Sequence, residues 1–80
     1  MNAELERLRM TLGDLESSIV THPMVATSSI TVFEQVSLKR AQDAGVDINQ
    51  IPDFDARLKK AKELAPIAEL EDATRRAEEY

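Results

Sequence analysis

Cysteine and tryptophan are missing from this chain, and its aromatic side chains are limited to Phe33, Phe54 and Tyr80. Without cysteine there is no disulfide to brace a small domain, and no thiolate for nucleophilic or metal chemistry. The absence also suits a reducing compartment. The single histidine, His22, has no acidic cluster near it in sequence, so no metal site is expected. Nor does His22 have an assignable Ser/Asp partner, which leaves no catalytic constellation to assemble. The two glycines form no phosphate-cradling loop, and Ser17, Ser18, Ser28 and Ser29 sit in no Gly-x-Ser-x-Gly elbow. The reading is of a protein that is not an enzyme and takes no cofactor.

Long apolar runs are also lacking. The N-terminal stretch MNAELERLRM is charged and amphipathic, unlike a signal peptide. The longest uncharged window, residues 17–33, is shorter than the ~20 residues a membrane span requires, and Ser, Thr, His and Pro fill about half of it. A soluble, cytoplasmic protein with no membrane role is expected. Fifteen acidic and ten basic residues give a net charge of −5, which argues against general nucleic-acid binding.

What the chain has in quantity is Ala, Leu, Glu, Lys and Arg, the residues that favour helices. Met1, Leu5, Leu8, Leu12, Leu15 and Ile19 recur at intervals of four and three, which lines them along one face of a helix over about 2–21. The same spacing is a heptad pattern. It serves equally an amphipathic helix lying on its own core and a seam that pairs with a second copy. Gly13 lies off that seam and should weaken the helix by ~1 kcal/mol relative to Ala.

His22-Pro23 interrupts this helix, because a residue before proline disfavours helical geometry. Pro23 also suits the first turn of the next helix, expected over about 24–44. Thr31 and Glu34 have capping-box spacing, and Ser28 or Ser29 would also cap. The apolar positions continue through Phe33, Val36, Ala41 and Ala44. Gly45 is a natural stop, with Val46 placed to close over the last turn. The uncharged window is expected to stay uncharged because both flanks of this helix meet other protein.

Residues 45–52 form a connector. Asp47 and Gln50 can cap a short helical turn that tucks Ile48 and Ile51 inward. Asp47, Asn49 and Asp53 do not make an EF-hand, since the mid-loop Gly and terminal Glu are missing. A helix over about 53–65 follows, with Asp53 as N-cap and Phe54, Leu58, Ala61 and Ala65 on one face. After Pro66 the phase changes. Ile67, Leu70, Ala73 and Ala77 fall on roughly the opposite side, so 66–79 is expected to be kinked or a separate helix.

The expected fold is therefore all-α: a small helical bundle or hairpin of three helices, with a possible fourth after Pro66, and dimeric. The expected function is a non-catalytic interaction module, such as a small adaptor, a chaperone-like subunit or an inhibitor, that offers an apolar helical surface to a protein partner. Its contact residues would be Leu8, Leu12, Leu15, Ile19, Met24, Val25, Ile30 and Phe33. An alternative is an acidic, antitoxin-like or DNA-mimicking inhibitor acting through Glu69, Glu71, Asp72, Glu78 and Glu79. A lesser one is nucleic-acid binding through Arg57, Lys59, Lys60 and Lys62.

Overall fold

The computed structural model describes residues 3–79, with side chains through residue 78. The expectations for Met1, Asn2, Tyr80 and the Glu79 side chain lie outside the described residues. The fold is all-α, with three helices and no strand among the described residues. Helix α1 spans Ala3–Thr21. Helix α2 covers residues 26–43, α-helical over Ala26–Val32 and Lys39–Asp43, with a π-helical turn over Phe33–Leu38 between them. Helix α3 spans Phe54–Glu79. Short 3₁₀ turns at Pro23–Val25 and Ile48–Gln50 make the connections.

The apolar seam of α1 points inward. Leu8, Leu12, Leu15 and Ile19 are buried, joined by Ala26, Ile30, Phe33 and Ala41 from α2 and by Phe54, Ala61 and Ala65 from α3. Phe33 and Phe54 lie with ring centroids 6.4 Å apart, tilted by 33°. Between-helix contacts give the directions. Arg40 near the end of α2 approaches Glu4 near the start of α1, at 3.8 Å. Glu34 on α2 pairs with Lys62 on α3 at 2.9 Å, while Thr27, earlier on α2, meets Glu69, later on α3. Helix α2 thus runs antiparallel to both its neighbours.

The π turn re-phases α2. Ala26, Ile30 and Phe33 are spaced four and three apart, and the next inward residue is Leu38, five beyond Phe33, followed by Ala41. One extra residue in the turn keeps the inner face continuous. Val36, expected inside, is consequently exposed, and Ala44, also expected inside, is exposed as the C-cap beyond the last helical residue.

Gly45 ends α2 as its sequence suggests. With φ of 79°, it donates its N–H to Gln42 O, while Val46 N–H reaches Ala41 O, both at 3.0 Å. These are the two bonds of a Schellman cap, and Val46 is buried over it. Asp47 Oδ1 accepts from Asn49 N–H at 3.0 Å and its carbonyl accepts from Gln50 N–H at 3.1 Å, so the 3₁₀ turn closes with Ile51 buried. Asp53 then opens α3 in a left-handed conformation, φ 59°, with its carbonyl accepting from Arg57 N–H at 2.8 Å. Aspartate is among the few residues that tolerate this region.

Of the two expectations for residues 66–79, the separate helix is corrected and the single helix running through Pro66 is what forms. Pro66 lies inside one helix that continues to Glu79. The inward face proceeds through Phe54, Leu58, Ala61, Ala65 and Ala68, and Pro66 sits on the exposed side of it. A proline there gives up one helical hydrogen bond without placing its ring in the core.

Candidate interaction surface

Six of the eight expected contact residues are committed to the core. Leu8, Leu12, Leu15, Ile19, Ile30 and Phe33 are each at most 6 % exposed. Side chains so enclosed cannot form a contact surface without unpacking the molecule, so this part of the expected surface is corrected; of the six, Ile19 alone reaches the edge of a groove between α1 and α3. Heptad spacing was satisfied within the chain, by α2 and α3. Met24 and Val25 are exposed, at the turn between α1 and α2. There they line a hollow with His22, Asp72 and Arg76.

The open apolar surface lies elsewhere. Val20 is 79 % exposed, Leu64 43 %, Ile67 52 % and Leu70 69 %. A groove of about 360 Å³ runs between the end of α1 and the middle of α3. Ile19, Val20, Pro23, Leu64, Ile67 and Ala68 line it, with Glu71 and Arg75 at its rim. A hollow of about 210 Å³ shares Ile19, Val20 and Leu64 and is bounded by Glu16, Arg57, Lys60 and Ala61. Together they form one apolar trough with charges of both signs at each end, Glu71 and Arg75 at one and Glu16, Arg57 and Lys60 at the other.

Sequence reasoning left Val20 and Leu64 out of this surface, and did not name Ile67 and Leu70 as contacts. A signal existed for three of them. Val20 is an apolar residue immediately off the α1 seam. Ile67 and Leu70 fall out of phase with Phe54, Leu58 and Ala61, and the structure places them outside for that reason.

The uncharged window has two fates. Its inner flank, Ala26, Ile30 and Phe33, is core. Its outer flank borders a groove of about 320 Å³ between α1 and α2, floored by Leu15 and Phe33. Ser18, Ser28, Ser29, Ser37, Thr11 and Val32 wall it, and Asp14 is the one charged residue along it. The expected caps are corrected. Thr31 donates its hydroxyl to Thr27 O and Ser29 to Val25 O, each one turn back inside the helix. The acceptor at the start of α2 comes from α3: Glu69 Oε1 accepts from Thr27 N–H at 2.8 Å. A carboxylate at a helix N-terminus satisfies an otherwise unpaired donor and opposes the positive end of the helix dipole.

The charged alternatives are also partly committed. Glu69 caps α2. Asp72, 14 % exposed, holds Arg76 at 3.0 Å and Arg75 at 3.3 Å. Of the expected acidic surface this leaves Glu71 and Glu78 exposed. In the basic run, Arg57 grips Glu16 through both guanidinium arms, with Nε donating at 3.0 Å, and Lys62 pairs with Glu34. The hydrogen bonds from Arg57 hold the Glu16 carboxyl below its ordinary range, and the same pairing raises Arg57. Lys59 and Lys60 remain exposed. Among the described residues no group of three His, Cys, Asp or Glu is gathered that could hold a metal ion, and no helix is long and apolar enough to cross a membrane.

No family model matches the chain, and comparison with the curated proteins and with the solved structures finds no match.

Proposed function

We propose that this chain is a non-catalytic protein–protein interaction module, an adaptor, chaperone-like subunit or inhibitor built on a small helical bundle, and that it presents the α1–α3 trough to protein. The observation that carries the reading is the grouping of Val20, Leu64 and Ile67 along one groove, beside Leu70, on a chain this small. Clustered large apolar side chains rimmed by charge are the composition of a contact surface, whereas scattered ones call for no explanation. Fully burying such a side chain is worth about 1.5–3 kcal/mol, so covering these four supplies several kcal/mol toward association even though each is already part-covered.

The acidic reading is weaker because Glu69 and Asp72 already hold groups of their own chain. The nucleic-acid reading is weaker for the same reason, with Arg57 and Lys62 engaged by Glu16 and Glu34. Both alternatives demand steep weakening with salt, whereas apolar association does not.

The test is site-specific photo-crosslinking in cells that express the protein. Replacing Ile67 by a benzoylphenylalanine should give a protein adduct on irradiation. The same replacement at Asn49, on the far connector, should give none. Equal labelling at both positions, or none at Ile67, contradicts the proposal.

A further inference from the structure

The trough carries a pattern that names its occupant. Along the exposed face of α3 the residues read Lys60, Leu64, Ile67, Glu71, at spacings of four, three and four. The spacing is palindromic about the peptide between Ala65 and Pro66. A twofold axis there would lay α3 antiparallel on α3 of a second copy, with Leu64 opposite Ile67 and Lys60 opposite Glu71. Symmetry makes each contact twice, as a closed isologous interface requires.

The charges favour this arrangement over others. Among the described residues, neither Lys60 nor Glu71 makes an ion pair, while Glu16, Glu34, Arg57, Lys62 and Asp72 all do. A parallel pairing would set Lys60 against Lys60 and Glu71 against Glu71. The antiparallel one sets opposite charges together at both ends of the apolar strip. Val20, from α1, stands beside the strip and widens it.

We infer that the occupant of the trough is a second copy of this chain, docked antiparallel through Lys60, Leu64, Ile67 and Glu71. The inference rests on the reading of this trough as a protein contact surface and gives that reading a partner.

The experiment is solution molar mass by light scattering over a hundredfold range of concentration, on the full chain and on charge-reversed variants. The parent chain should pass from monomer to dimer mass. Lys60→Glu and Glu71→Lys, each placing like charges together twice, should each weaken the dimer by about tenfold or more. The double variant K60E/E71K restores opposite charges and should return to within about threefold of the parent. Ile67→Asp should remain monomeric with an unchanged helical circular-dichroism spectrum. A chain that stays monomeric throughout overturns the inference, as does a dimer that survives Ile67→Asp or a double variant that fails to recover. If the chain is monomeric yet Ile67 crosslinks a different protein, self-pairing falls and the contact surface stands. If it is monomeric and Ile67 crosslinks nothing, both fall.

Discussion

Glu69 is a charged residue whose role is set by a helix it does not belong to. It sits on α3 and accepts from Thr27 N–H, 42 residues away, at the start of α2. Glu69→Ala should therefore destabilise the fold by about 0.5–2 kcal/mol in urea denaturation, the usual cost of a lost helix cap. Glu69→Gln, which keeps an acceptor oxygen, should recover part of the loss. Glu16 carries a pH signature. Its carboxyl is held below the ordinary range chiefly by the Arg57 hydrogen bonds, so the unfolded chain takes up a proton more readily than the folded one. The stabilisation is present above the unfolded value and is lost as pH falls through the lowered folded value. Both side chains remain about a third exposed, so the contribution is that of a surface pair, about 0–1 kcal/mol. In acid titrations of stability, Glu16→Gln should cost at most that amount at neutral pH and nothing once the carboxyl is protonated.

At the scale of the helix, local rules served well where the deciding contact was local. The inward seam of α1, the Gly45 stop and the Asp47 turn each depend on residues within one or two turns, and the sequence shows them. The start of α2 was not legible, because its acceptor comes from α3 and no capping box next to Ala26 announces it. The π turn was not legible either. A straight 3.6-residue count carries Val36 inward, and only packing against α1 and α3 reveals that one residue must be accommodated. At Pro66 the sequence allowed either a fresh helix or one helix serving two surfaces, and the structure has one helix. The phase change is real, but the inner face continues through Ala65 and Ala68, so the helix holds together while Ile67 and Leu70 turn out. Pro66→Ala should restore one backbone hydrogen bond and raise stability by up to about 3 kcal/mol, read as a shift in the urea midpoint. Gly13→Ala should stabilise α1 by about 1 kcal/mol, since an added Cβ there meets no atom within 4 Å.

For the whole molecule, the apolar residues divide into two sets. One set closes the monomer: Leu8, Leu12, Leu15 and Ile19 against Ile30, Phe33, Phe54 and Ala61. The other remains open: Val20, Leu64, Ile67 and Leu70 cluster along α1 and α3, while Met10, Met24, Val25, Val32 and Val36 are exposed away from that trough. The spacing of the apolar side chains announced a seam but not the division, because the same heptad spacing serves a self-pairing seam and an internal core equally well. Which seam is covered depends on how the connectors aim α2 and α3, and that is a property of the assembled fold.

The measurement that tests this division most directly is a pair of urea denaturations, on Leu12→Ala and Ile67→Ala, at a concentration where the parent chain is monomeric by light scattering. Leu12→Ala should lose about 2–5 kcal/mol or fail to fold, as a truncation in a closed core does. Ile67→Ala should stay within about 0.5 kcal/mol of the parent, as a surface change does. A large loss at Ile67 together with a negligible one at Leu12 would contradict the account.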